Sequence, residues 1–333
     1  MALKVLRKKK VSSRAKKLPL ILAYDLGGTK VSVGVVDSAG KILAEIREPV
    51  VIEKGKAAVL NQLVLLGKNF IRDFPSIERA GIASAGPLDP EKGVLLDPTN
   101  FTSEQGSWGA VPIASILSRR LKLPVTLEND AAAAILAEHW MGAARNHDNA
   151  IILTLGTGLG IGVIANGQLV RAGQMMHPEG GHVIIGYGDR TAPCGCGNFG
   201  CAEAYLSGRN FTRRARTRFG DSELSTKDIA DLARKRDPRA LAAFEEYALQ
   251  MASALHNFAV LYSPEIVIFT GSFAAASDLF LKQTKVHLEK LLERRRIGKD
   301  LLPKLVISCL HNNAGLLGGA YVALQSREHE LKA

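Results

Sequence analysis

One short pattern occurs twice in this chain, and it constrains the fold more than any other feature. Ile21–Asp25 reads as a short apolar strand, Gly27-Gly28-Thr29 as a turn and Val31–Val36 as a returning strand, after which Asp37–Gly40 turns into a third strand over Lys41–Ile46. About 129 residues on, from Ile21 to Ala150, the order recurs. Ala150–Leu155 is a strand, Gly156-Thr157-Gly158 a turn and Ile161–Ala165 the return, with Asn166-Gly167 as a two-residue hairpin signal. A strand–glycine turn–strand–hairpin unit used twice predicts two related α/β domains facing a cleft. Helical and strand patterns alternate around these units. Helices are expected over Ala57–Phe74, Val111–Leu121, Asn129 or Asp130 to Met141, Pro238–Tyr262, Ser277–Glu293 and after Asn313. Strands are expected over Arg79–Ala83, Pro124–Leu127, Ile266–Phe269 and Lys304–Ser308.

The 333 residues suffice for about two domains, and 47% hydrophobic against 23% charged residues can build real cores. No apolar run reaches the ~20 residues a membrane span needs. Leu18–Ala23 is too short for a signal-peptide core and runs straight into Asp25. Four cysteines, three of them within Cys194–Cys201, do not make a disulfide scaffold, so a reducing, cytoplasmic location is the expectation. The net charge of +11 invites a nucleic-acid reading, but eight lysines and arginines between Lys4 and Lys17 precede any acidic residue. That segment, 1–19, reads as a basic solvated arm, and the clusters Arg213–Arg218 and Arg294–Arg296 as solvated helix faces. Neither a specific nucleic-acid partner nor a membrane is expected.

Four segments carry chemistry. In Asp25-Leu26-Gly27-Gly28-Thr29-Lys30, glycines between two strands leave backbone N–H groups open to an anion, Thr29 and Lys30 add donors, and Asp25 can hold a water or Mg²⁺ beside a phosphate. It is not a P-loop, because the G-x-x-x-x-G-K-[ST] spacing is absent and a strand follows. Gly156-Thr157-Gly158-Leu159-Gly160 lacks the dinucleotide fingerprint; paired with the first turn it reads as half of a phosphate clamp, although either turn alone can be a plain hairpin. In Leu127-Glu128-Asn129-Asp130, a carboxylate at a strand-to-helix junction can take a proton from a substrate hydroxyl, or Asp130 can be only a helix cap. His182 with Cys194, Cys196 and Cys201 has the composition of a closed structural Zn²⁺ site, and the intervening glycines permit the sharp loop. Glu179 and Glu203 flank that loop and can be fixed by it towards a polyol, while Cys309 reads as an inert thiol.

Together, Asp25–Lys30, Asn129-Asp130, Gly156–Gly160, Glu179-Gly180-Gly181-His182 and Cys194–Cys201 with Glu203 resemble the ROK family of bacterial sugar kinases and sugar-responsive repressors, from about Ile21 to Leu324. The resemblance implies a two-domain actin-like ATPase/hexokinase (ribonuclease H-like) fold, with duplicated βββαβα-type α/β domains around a cleft. The implied division is 20–129 plus 313–333 as a small domain and 130–312 as a large one carrying the zinc loop. It also implies ATP, Mg²⁺ and structural Zn²⁺, a hexose substrate, and a homodimer. By position, Asp130 resembles the catalytic base and Asn129 its hydroxyl-binding neighbour. Ser84, Gly86, Asn100, Glu179, His182 and Glu203 look like sugar-side residues, His182 using its other nitrogen on zinc. Asp25, Gly27, Gly28, Thr29, Lys30, Thr157 and Gly158 would serve the phosphates and Mg²⁺, with Gly271 and Gly315 at the adenine pocket. Two departures stand out: Phe269-Thr270-Gly271 in place of a triple glycine, and Gln174-Met175-Met176-His177-Pro178 in place of a small-residue stretch.

The implied reaction is phosphorylation of a hexose hydroxyl, glucose to glucose 6-phosphate first, with an N-acetylglucosamine or N-acetylmannosamine kinase as the alternative and a fructokinase or mannokinase behind it. Zinc loss is expected to weaken sugar binding before ATP binding. A repressor of the same family would carry a winged-helix domain larger than the segment before Ile21.

Overall fold

The computed structural model describes residues 18–98, 101, 106–296 and 300–332. Most of the expected basic arm, 1–17, lies outside the described residues, as does Asn100. The chain divides into two compact units. One comprises Met1–Met141, Arg171–Met176 and Asn313–Ala333, the other Gly142–Val170 and His177–Asn312.

In the first unit, β1 (Leu20–Leu26), β2 (Lys30–Asp37) and β3 (Ile42–Pro49) form an antiparallel meander, because Gly27–Thr29 and Ser38–Lys41 are tight turns between apolar runs. β1 is buried almost throughout, whereas the edge strand β3 alternates half-buried and exposed positions, as a strand with one solvated face should. After α1 (Gly55–Asp73), β4 (Ile77–Ser84) pairs parallel to β1. A small sheet of β5 (Leu88–Asp89), β6 (Val94–Leu96) and β7 (Ala110–Val111) comes next, followed by α2 (Ile113–Leu121). β8 (Val125–Asn129) then joins β4 in parallel, giving the order β3-β2-β1-β4-β8.

The pairing registers place Arg47, Ser32, Asp25, Ala83 and Glu128 in one transverse row across the five strands. Directly paired residues lie on the same face of a sheet, so Arg47 and Glu128 share a face with Asp25. The Ala-rich helix α3 (Asp130–Met141) is buried along most of its length and packs on the closing helix Ala314–Lys332. The approach is close: a Cβ on Gly318 would stand 2.1 Å from the Ala133 carbonyl oxygen. That packing puts α3 in the first unit, so the units part at Met141/Gly142, beside the expected division at 129/130.

The second unit repeats the pattern. β9 (Ala150–Leu155), β10 (Leu159–Ala165) and the two-residue β11 (Gln168–Leu169) form the meander, and β12 (Ile266–Thr270) and β13 (Lys304–Ile307) add in parallel, in the order β11-β10-β9-β12-β13. Strand order and sense match the first sheet, so the duplication read from the two glycine turns is present. Between β11 and β12 lie the cysteine loop, α4 (Ala202–Leu206), α5 (Gly208–Phe219), α6 (Thr226–Arg234) and α7 (Pro238–Tyr262). Their starts follow local rules: the Ser207 side chain caps α5, Ser225 and Asp228 form a capping box on α6, and Asp237 caps α7 with Pro238 at its first position. The helix expected over Ser277–Glu293 is split. A 3-10 segment covers Ser272–Leu279, and α8 covers Leu281–Leu292, because Phe280 breaks the run with a φ of −130°. No helix among the described residues is long and apolar enough to cross a membrane.

Candidate active site

The first unit gathers carboxylates at the C-terminal ends of β1 and β8. Asp25 is half-buried one residue before the end of β1. Burial pushes its carboxyl up to about 7, the Asp130 carboxylate adds to the rise, Arg47 opposes it and Glu45 assists it. Arg47 is fixed in turn by Glu45 and by Asn313. Gly315 lets its helix approach Asp25 closely, since a Cβ there would lie 2.6 Å from Asp25 Cγ and 2.7 Å from each oxygen. In the adjoining turn the Gly27 N–H donates to the Lys30 carbonyl at 3.0 Å. Thr29 and Lys30 are exposed.

At the β8–α3 junction, Asn129 is the helix cap. Its Oδ1 accepts the N–H groups of Ala131 (2.9 Å) and Ala132 (3.1 Å), so its amide NH₂ points away from the helix as a donor. Asp130 occupies the first helical position, half-buried, with Oδ1 2.8 Å from the Ala131 nitrogen. Capping therefore falls to Asn129, and the Asp130 carboxylate stands at the N-terminal end of α3. Behind them, Glu128 is 1% exposed, accepts the Asn129 N–H at 2.8 Å and is held in a forked ion pair by Arg171. Ser84 is fully buried with its hydroxyl donated to the Ala85 carbonyl at 3.2 Å, and Gly86 follows half-buried.

In the second unit the glycine turn is tied to the segment after the cysteine loop. Glu203 Oε2 accepts the Leu159 N–H at 3.0 Å, and the Gly208 N–H donates to the Gly156 carbonyl at 2.8 Å. A Cβ on Gly158 would sit 2.7 Å from Glu203 Oε2, so a larger residue there would push the Glu203 carboxylate aside. Thr157 is exposed at the tip. Gly271 has a φ of +91° and would set a Cβ 2.4 Å from the Leu155 carbonyl; both facts demand glycine at the end of β12.

His182, Cys194, Cys196 and Cys201 converge, their ligand atoms all within 4.8 Å of one another. Cys194 Sγ is 3.5 Å from His182 Nδ1, and the sulfurs of Cys196 and Cys201 are 3.7 Å apart. A tetrahedral ion with metal–sulfur bonds of about 2.3 Å sets its sulfurs roughly 3.8 Å apart and a sulfur and an imidazole nitrogen roughly 3.6 Å apart. The donor set fits a metal ion of that kind. Gly197 and Gly200, at φ +89° and +74°, make the loop, and Gly200 comes so near Gly186 that no Cβ fits. Glu203 Oε1 lies 3.6 Å from Cys194 Sγ. Glu179 is about half exposed, and buried His177 reaches its Oε1 at 3.3 Å.

The residues expected from the sequence thus fall into two groups. Asp25, the Gly27–Lys30 turn, Asn129, Asp130, Ser84, Gly86 and Gly315 sit in the first unit, and Thr157, Gly158, Glu179, His182, Glu203, Gly271 and the cysteines in the second. Arg47, Glu128, Arg171 and His177 were not anticipated. Their partners are set by pairing register and chain path, and only an Arg and a Glu of opposite charge in apolar surroundings hinted at them.

The model of the ROK family matches residues 21–326. A glucokinase of Thermotoga maritima is 32% identical over 316 residues, 91% of this chain and 96% of that one. An N-acetyl-D-glucosamine kinase of Salmonella newport is 29% identical over 89% of this chain and 96% of its own length. Among solved structures, a ROK family glucokinase from Streptomyces griseus in complex with glucose and AMPPNP superposes with a TM-score of 0.77 at 30% identity, covering 92% of this chain and 99% of that one.

Proposed function

The chain belongs to the ROK family, and on that premise we propose that it is an ATP-dependent hexose kinase whose acceptor is glucose, converted to glucose 6-phosphate. The observation that carries the reading is the β8–α3 junction. There, one side chain caps the helix and leaves the neighbouring carboxylate of Asp130 at the helix start. Asp130 accepts the proton of the attacking hydroxyl while the Asn129 amide donates to the same sugar. Glu179, His182 through Nε2, and Glu203 serve as the remaining hexose ligands, with Ser84 and Gly86 as sugar-side residues of the first unit; Asn100, expected to join them, lies outside the described residues. The glucokinases of Thermotoga maritima and Streptomyces griseus support glucose over other hexoses.

Phosphoryl transfer asks the protein mainly for positioning and charge stabilisation. The Gly27–Lys30 and Gly156–Gly160 turns supply backbone N–H groups, Thr29 and Lys30 further donors, and Gly271 and Gly315 room at the nucleotide. The Asp25 carboxylate, a hard oxygen donor at the end of β1 beside the Gly27–Lys30 turn, suits Mg²⁺, which when bound would neutralise charge on the phosphates. The Cys₃His cluster suits a structural Zn²⁺ held by His182 Nδ1, Cys194, Cys196 and Cys201; it would order the loop that ends in Glu203.

An ADP-release assay over glucose, mannose, fructose, N-acetylglucosamine and N-acetylmannosamine tests this reading. Preference for glucose is expected. Preference for an acetylated sugar, as in the Salmonella newport relative, would move the substrate and keep the chemistry. Folded, metal-loaded protein inert toward all five would sink the kinase reading.

A further inference from the structure

The kinase reading leaves one buried ion pair without a task. Glu128 is 1% exposed at the end of β8, and Arg171 grips both of its oxygens. The same Glu128 oxygen that takes the Arg171 Nη1 accepts the N–H of Asn129 at 2.8 Å, and Asn129 Oδ1 holds the first N–H groups of α3. A continuous set of hydrogen bonds therefore runs from the guanidinium through Glu128 and Asn129 to the backbone under Asp130. Arg171 does not come from a neighbouring element of that sheet. It opens the short segment Arg171–Met176, which belongs to the first unit although Val170 and His177 on either side belong to the second. Within the segment the Ala172 N–H bonds the Met176 carbonyl at 2.7 Å, and Met175 adopts a φ of +59°.

A buried ion pair is weak support for stability, since a pair of apolar or neutral residues of like volume often does as well. What it provides is geometry: the planar fork of Arg171 fixes both Glu128 oxygens and thereby the direction of the Asn129 N–H. We infer that Arg171 is a positioning residue for the proposed base. It acts through Glu128 to hold the Asn129–Asp130 junction in register, and it makes the 171–176 segment a support of that junction. The inference rests on the reading of Asp130 as the base.

Removing one partner strands a buried charge, so Arg171→Met alone is expected to lose much of its thermal stability. The informative protein is the double variant Glu128→Gln with Arg171→Met, which removes both charges and keeps an acceptor for the Asn129 N–H. Its melting temperature should return close to that of the parent. If positioning is the task, kcat stays about 10- to 100-fold below the parent while the Michaelis constants for hexose and ATP move less than about threefold, and amide exchange at Ala131 and Ala132 is faster. A double variant with restored stability, parental kcat and parental exchange would show the pair to be merely structural and overturn the inference. A parent protein with no hexose kinase activity would count against the kinase reading instead, and the exchange rates at Ala131 and Ala132 alone would then decide whether Arg171 orders the junction.

Discussion

Gly315 faces the Asp25 carboxylate so closely that a single added methyl group would lie 2.6 Å from its carbon. The start of the closing helix thus packs directly against the carboxylate proposed for the Mg²⁺–nucleotide site, and only glycine permits that approach. Gly315→Ala should cover Asp25 or displace it. Overpacking of this size costs about 1–3 kcal/mol of folding stability, and displacement of the Asp25 carboxylate should also weaken AMPPNP binding measured by calorimetry with Mg²⁺. Unaltered affinity would remove Asp25 and Gly315 from the nucleotide side.

The raised Asp25 carboxyl has a consequence for stability. The folded chain binds this proton up to about pH 7, whereas an unfolded aspartate releases it near pH 4. Across that window the folded state holds more protons, so stability contributed here is full below about pH 4 and is lost as pH rises to 7. Asp25→Asn should therefore be more stable than the parent at pH 8, by on the order of 1–3 kcal/mol, in denaturant titrations without added Mg²⁺ or nucleotide. The gain should vanish by about pH 4; a gain of equal size at both pH values would contradict the assignment.

Asp130→Asn keeps the shape of the junction and removes the proton acceptor. General-base help is worth about 10²–10⁴-fold, so kcat should fall by that much while glucose still binds, as read by intrinsic fluorescence or calorimetry. Near-parental turnover would assign the proton to another group.

Freshly purified protein should contain about one zinc per chain by elemental analysis. Because Glu203 lies beside Cys194 and also accepts the Leu159 N–H, the cysteine loop is tied directly to the glycine turn. Loss of the metal, by chelation or Cys196→Ser, is then expected to weaken nucleotide binding along with hexose binding, not hexose binding first. It should also lower Tm by about 5 °C or more. Metal content far below one per chain would dismiss the site, and intact AMPPNP binding after chelation would restore the narrower, sugar-only role.

Much of this was legible in the amino-acid order because it is local. The two glycine turns between apolar runs dictate antiparallel meanders, and their repetition dictates two like-ordered sheets. The cysteines of 194–201 are close enough along the chain to meet, and Asn129-Asp130 sits where a strand must become a helix. What local order could not supply was the surroundings of each carboxylate. The charge of Arg47 acts on Asp25 because three strands bring Arg47, Ser32 and Asp25 into one row. Glu128 meets Arg171 across 43 positions, and Gly315 comes to Asp25 from the far end of the chain. A residue's neighbours along the chain fix its backbone conformation. The charge state and aim of a half-buried carboxylate depend instead on which distant groups replace its water, and only the packed tertiary structure chooses those.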